Sequence, residues 1–215
     1  MSETIAVWFS CGAASATAAK LTVEAYGKTN TVRVLNSPIL EEGEDNRRFL
    51  RDVEKWIGQE IELVINPKWP NCSTREVWEK RKAMSFPHGA PCTLARDNVL
   101  PILITAGMSK QDCLNFVAAA GIELPDSYRD GFPNANCRKC GCVKATSPTY
   151  WNHLRKTEPE GFAATAEQSR RLGAKLVRYK GERIFLDELP PDAMGRPMKE
   201  FSMPDCGVFC EEYTT

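Results

Sequence analysis

Within residues 4–65 the apolar pattern switches repeatedly between short continuous runs and helical stripes. Thr4–Phe9 reads as a buried strand and Ser15–Tyr26 as a helix capped by Ser15. Thr31–Leu35 is a second strand, and Asp45–Ile57 a helix with Phe49, Leu50, Val53, Trp56 and Ile57 on one face. Ile61–Ile65 is a third strand. Strands that alternate with helices in this way are joined by crossovers rather than hairpins. The pattern therefore predicts an α/β fold around a parallel sheet with right-handed connections.

Helical patterns recur at Arg75–Met84 and Ala95–Ile104, and a further helix is expected from an N-cap at Ser109 to Gly121. Beyond that point the character changes. Tyr128–Val143 is a loop rich in Gly, Asn and Cys, Pro148–Lys156 and Thr165–Leu172 look helical, and residues 175–186 read as a hairpin turning at Lys180-Gly181. Residues 187–197 form a turn-rich linker and the last twenty residues are irregular. The expected organisation is an α/β nucleotide-binding domain over residues 1–121 and a cysteine-bearing C-terminal extension over 122–215.

The first strand ends in an abrupt run of small residues, Ser10-Cys11-Gly12-Ala13-Ala14-Ser15. In a parallel sheet this strand-to-helix loop lies at the carboxyl edge, where nucleotides bind. The helix N-terminus there offers free N–H groups to a phosphate, and small side chains let it approach. Ser10, Gly12, Ala13 and Ser15 are thus candidate phosphate contacts, with an adenine expected near Leu35 at the end of the second strand. The loop lacks the Gly-Lys-Ser/Thr ending of a Walker A and is not G-x-G-x-x-G. A tight turn without a ligand is the competing explanation.

Charge is balanced overall, with 28 basic and 28 acidic residues, but it is unevenly placed. From Arg138 to Arg183 there are eleven basic and four acidic residues, which could attract a polyanion such as tRNA or DNA locally or simply form a solvated face. Residues 146–156 interleave Tyr150 and Trp151 with basic side chains, which suits base stacking or a small core under the neighbouring loop. Glu41, Glu42 and Asp45 could hold Mg²⁺ near a nucleotide or simply favour the start of a helix. His88 and His153 are expected to be structural or solvent-facing. No run approaches the roughly 18 apolar residues that span a bilayer, and no secretory leader is visible, so a soluble cytoplasmic protein is expected.

Nine cysteines, an odd number concentrated late in the chain, argue against a disulfide framework. Cys137, Cys140 and Cys142 lie within one short loop, and Cys206 and Cys210 form a later pair. Together they could supply four thiolates to Zn or to an iron–sulfur [4Fe–4S] cluster, with the fourth ligand ambiguous. Cys72 and Cys113 have no partners at ligand spacing and read as core residues.

Four segments in order carry a family resemblance. The loop Ser10–Ser15 resembles the S-G-G-x-D-S pyrophosphate loop of the adenine-nucleotide alpha-hydrolase superfamily, with Cys11 in place of the first glycine and Ala14 in place of the aspartate. Residues 88–101 resemble the Cys-Thr or Cys-Cys segment of phosphoadenosine phosphosulfate (PAPS) reductase-like proteins. Residues 128–151 resemble their Cys-x-x-Cys loop in its phage-type version, and residues 204–210 their C-terminal Cys-Gly tail. The resemblance implies a Rossmann-like sheet that binds ATP or PAPS at its carboxyl edge, and sulfur chemistry. In thiol-dependent members a cysteine followed by glycine attacks the substrate sulfur, a role that would fall to Cys206 and competes with its reading as a ligand. Two departures stand out: Pro101 to Gly107 is too short for the family's additional strand and substrate loop, and Cys92 is followed by Thr93 where cluster-bearing reductases pair cysteines. Three activities follow as expectations: sulfonucleotide reduction, ATP-dependent sulfur transfer to tRNA or DNA, or nucleotide binding without catalysis.

Overall fold

The computed structural model describes residues 2–84, 98–135, 139 and 141–198. The alternating pattern at the N-terminus folds as β1 (Thr4–Trp8), α1 (Ala13–Tyr26), β2 (Thr31–Asn36), α2 (Glu44–Ile57) and β3 (Ile61–Leu63). The strands are all parallel in the order β1-β2-β3, with Val7 beside Val34 and Val34 beside Ile61. Among the described residues the parallel sheet thus has three strands.

Both crossover helices cover the same face. Ala13, Ala16 and Ala19 of α1 and Phe49, Val53 and Ile57 of α2 join Phe9, Val34 and Ile61 in one buried cluster. The alanines let α1 lie close to the strands, and the four-residue spacing on α2 presents one apolar stripe. Gly58 ends α2 in the left-handed conformation (φ +76°), which glycine adopts without a Cβ penalty. A second layer is added by α5 (Lys110–Ala119), which packs on α1 and contributes Val117 to the same cluster. Ser109 caps α5 as expected: its hydroxyl accepts from Asp112 N, and the Asp112 carboxylate accepts from Ser109 N.

The remaining elements are α3 (Thr74–Arg81), the single turns α4 (Ile102–Thr105) and α6 (Asp126–Arg129), then α7 (Pro148–Thr157), α8 (Pro159–Arg171), β4 (Val177–Tyr179), β5 (Glu182–Ile184) and a 3₁₀ turn at Leu186–Glu188. The helix expected over 95–104 falls partly outside the described residues. Its described part is helical only from Ile102, after Pro101, because a proline disfavours helical backbone in the residue before it. A second buried cluster centres on Trp151, Tyr150 and Leu154 of α7 with Phe162 and Ala166 of α8, Val177 and Leu186. The antiparallel β4–β5 hairpin turns at Lys180 and Gly181, both with positive φ.

The two clusters draw on both halves of the sequence. Trp78 of α3 belongs to the second, and Leu124 and Tyr128 pack against the first. Polar contacts tie α3 to α8. The Arg75 guanidinium donates to Thr165 Oγ1 (3.0 Å), Gln168 Nε2 donates to Arg75 O and Glu79 Oε1 (2.9 Å each), and Arg171 pairs with Glu79.

Candidate functional site

The loop between β1 and α1 sits at the carboxyl edge of the sheet. Its shape starts with Cys11, which is buried and has φ +57°. That conformation costs a side-chain-bearing residue on the order of 1 kcal/mol and is free to glycine. It turns the chain so that Gly12, not Ser15, precedes the helix. Ser15 therefore occupies the third helical position. From there its hydroxyl accepts from Gly12 N (3.3 Å) and Ser10 N (3.1 Å), lies 3.2 Å from Ser10 Oγ and donates to Gly12 O (3.0 Å). The next amide, Ala13 N, donates to Tyr128 Oη at 3.2 Å. A Cβ on Gly12 would come within 3.3 Å of the same phenol oxygen. Ser10, Gly12, Ala13 and Ser15 thus lie together in one loop, with the amides of Ser10 and Gly12 turned onto Ser15 and that of Ala13 onto Tyr128. Leu35 is buried near the end of β2, in register with Trp8 and Glu62.

Behind the loop lies a polar group that sequence reasoning did not assemble. Asn36, buried at the end of β2, donates through Nδ2 to Phe9 O (2.8 Å) and to Cys11 Sγ (3.7 Å). Burial, and next the nearby Glu42 charge, push the Cys11 thiol well up against the opposing Asn36 hydrogen bond. A thiol held protonated is a poor nucleophile, so Cys11 is not an attacking group. Glu42 itself is pushed up to about 7 by burial and by the Glu41 charge, against a hydrogen bond from Asn46 Nδ2 (3.2 Å). Tyr128 and Asn36 carry no local motif, and the contact of Tyr128 with the loop spans 115 residues, so only tertiary packing reveals it.

The acidic residues that could have held Mg²⁺ have other partners. Glu41 accepts from Ser73 Oγ, Thr74 N (2.9 Å), Thr74 Oγ1 (3.0 Å) and Arg75 N (3.3 Å), so it caps α3. Burial raises its carboxyl, but these donors outweigh burial and hold it below the usual range. Asp45 is likewise held low: burial raises it, and the Arg48 bond and charge together with Asp126 N (2.8 Å) overcome that.

Of the cysteines expected to bind metal, Cys137, Cys140, Cys206 and Cys210 lie outside the described residues, as does the cysteine of residues 88–101. Cys142 is buried in the second cluster, and its N–H donates to Tyr150 Oη at 2.7 Å. The preceding Gly141 has φ +68°, and a Cβ there would lie 2.8 Å from Trp151 Cζ3. This end of the cysteine loop is therefore pressed onto α7. The chain that leads towards Cys206 is strapped to the same helix. Asn152 Nδ2 donates to Pro190 O and Ala193 O (2.9 Å each), Thr149 Oγ1 accepts from Gly195 N (2.8 Å), and Ser147 Oγ donates to Arg196 O (2.9 Å). Among the described residues no cluster of His, Cys, Asp and Glu has the makings of a metal site. Cys113 is buried beside α1, whereas Cys72 is only half-buried, with φ +54° in the turn before α3. His153 has Nε2 2.6 Å from Asp130 O and its ring against Phe132.

Part of the basic C-terminal segment has partners within the chain. Arg155 donates to Leu186 O, Leu189 O and Asn152 Oδ1, Arg170 pairs with Asp187 and Glu188, and Arg183 donates to Leu176 O. Tyr150 and Trp151 are fully buried, with Trp151 Nε1 donating to Ala145 O (2.8 Å), so they form the small core and neither can stack on a base.

No family model, curated protein or solved structure matches the chain. No described helix is long and apolar enough to cross a membrane.

Proposed function

We propose that this chain is a PAPS reductase-like protein that binds an adenine nucleotide on the loop Ser10–Ser15. The observation that carries the reading is the backbone of Cys11. It stands where the resemblance puts a glycine, and it holds the left-handed conformation (φ +57°) that a glycine there would serve, at the carboxyl edge of a parallel sheet. In this reading the Ser10 and Ser15 hydroxyls and the amides of Gly12 and Ala13 meet the phosphates. Tyr128, already accepting from Ala13 N, donates its own proton to a phosphate oxygen. Adenine lies towards Leu35. Burial and the raised thiol speak against Cys11 as a nucleophile, and attack by Cys206, which the resemblance implies, is the alternative to its place in the metal site that follows.

Metal binding belongs to the same proposal. The strap from Pro190 to Arg196 delivers the C-terminal segment beside Ser147, a few residues past Cys142, which supports a site shared by Cys206, Cys210, Cys137 and either Cys140 or Cys142. Such a site would hold Zn structurally or an iron–sulfur cluster that supplies electrons.

A non-catalytic nucleotide-binding protein is the second reading, favoured by one observation: the sheet has three strands among the described residues. Calorimetry with ATP, adenosine 5′-phosphosulfate and PAPS tests binding, with Gly12→Val expected to weaken it. Binding with sulfite release from PAPS and a thiol donor favours reduction, salt-dependent tRNA or DNA binding favours sulfur transfer, and binding with neither favours the second reading. A chain that binds none of the three nucleotides refutes the proposal. Anaerobic purification of the wild type and of Cys137→Ser and Cys206→Ser reads the metal directly by colour and elemental content. Cys206→Ser that keeps its metal removes that residue from the ligand set.

A further inference from the structure

Beside the candidate phosphate loop, the segment between β2 and α2 carries two neighbouring glutamates that part ways. Glu42 N donates to Ile39 O (3.2 Å) and Leu40 N to Cys72 O (2.9 Å), which closes a turn at 39–42 and pins it to the segment before α3. From that turn Glu41 reaches the start of α3, where Ser73, Thr74 and Arg75 donate to it and keep it ionised. Glu42 is directed to α2 instead and accepts from Nδ2 of the buried Asn46 (3.2 Å). Its charge acts on Cys11, which stands between Ser10 and Gly12 and whose Sγ is met by Asn36 Nδ2 (3.7 Å). The titratable and charged groups that face Glu42 among the described residues are thus Glu41 on its own segment and Cys11 on the β1–α1 loop, with the neutral Asn46 from α2.

We propose that the loop binds its nucleotide together with a proton, and that Glu42 is where the proton goes. The inference rests on the nucleotide reading above and adds its regulation by pH. A phosphate held by Ser10, Gly12 and Ser15 takes its place around Cys11, so the Glu42 charge that acts on Cys11 acts on the phosphate too. At an effective dielectric of about 20, a like charge about 10 Å away moves a carboxyl by about one pH unit. Glu42 already titrates near neutrality, pushed up to about 7 by burial and by the Glu41 charge against the Asn46 hydrogen bond. A phosphate raises it further, so the bound state holds a proton that the free state has partly released. Linkage fixes the sign: affinity is highest on the acid side, falls as pH rises past about 7, and levels off once Glu42 is ionised in both states. Each unit by which the phosphate raises Glu42 is a tenfold change in affinity. The protonated carboxyl keeps a carbonyl oxygen for Asn46 Nδ2, so proton uptake needs no rearrangement.

Calorimetry of the full chain with ATP, adenosine 5′-phosphosulfate and PAPS, from mildly acid to mildly alkaline pH, compares the wild type with Glu42→Gln. Glutamine keeps the Asn46 bond and never ionises, and protonation of the nucleotide itself is common to both proteins and cancels. Across the range the wild type should lose about tenfold in affinity relative to the variant. At neutral pH its binding should take up roughly half a proton more, read from binding heats in two buffers of different ionisation enthalpy. Circular dichroism checks that Glu42→Gln folds. Proton uptake by the wild type with adenosine 5′-phosphosulfate, whose phosphosulfate does not titrate in this range, reads the same quantity without a variant. Nucleotide binding with the same pH profile in both proteins overturns the inference and leaves the nucleotide reading standing. So does a wild-type affinity that rises with pH relative to the variant, the sign expected if Glu42 held a cation for the phosphate. A chain that binds none of the three nucleotides overturns both.

Discussion

Glu42 ties the stability of the candidate site to pH, and Glu42→Gln isolates that link. Its carboxyl, ordinarily at 4.5, is pushed up to about 7, first by burial and then by the Glu41 charge. Between these values the folded chain holds a proton that the unfolded chain has released. The folded state is therefore favoured at low pH, and the contribution disappears as pH rises through about 7. At about 1.4 kcal/mol per pH unit the full effect is about 3 kcal/mol, an upper figure because side chains relax around a buried charge. Glutamine keeps a carbonyl oxygen for Asn46 Nδ2 and carries no charge. Urea unfolding of both proteins across the acid-to-neutral range should show no difference below the ordinary carboxylate value. The variant should gain steadily above it and level off beyond neutrality, more stable by about 2–3 kcal/mol. A gain that does not change with pH would mean that packing, not the buried charge, sets the difference.

Glu41→Gln should behave in the opposite sense. The Ser73, Thr74 and Arg75 donors hold Glu41 low, so the wild-type advantage is present at neutral pH and lost as pH falls through the folded-state value; with about 1–2 kcal/mol expected for the cap, equal thermal midpoints at neutral pH would refute it. Gly141→Ala forces a Cβ to 2.8 Å from Trp151 at a positive φ and should cost at least about 2 kcal/mol, read as a lowered melting temperature. Tyr128→Phe removes the acceptor of Ala13 N and should cost about 1 kcal/mol; if the phenol also donates to phosphate, ATP affinity falls with it, and unchanged affinity in calorimetry would remove Tyr128 from the site.

The alternation of apolar runs and stripes in residues 4–65 was enough to determine a parallel α/β sheet, because period and chain reversal are local properties that a sequence displays. The Ser109 cap, the Lys180-Gly181 turn and the small-residue loop at the carboxyl edge were legible for the same reason. The start of α1 was not, since the left-handed Cys11 moves the cap from Ser15 to Gly12, and no pattern marks a cysteine for positive φ. Nor could a sequence show that Tyr128 closes on Ala13 N, that Glu41 caps α3, that Arg155 donates to the carbonyls of Leu186 and Leu189, or that Arg170 pairs with Asp187. Each depends on which distant groups packing brings within about 3 Å, and hydrogen bonds and charges act only at that range. The pairing of β1 with β2 among the described residues is a decision of the same kind: a strand's sequence states that it can pair, and only the assembled sheet decides with which neighbour.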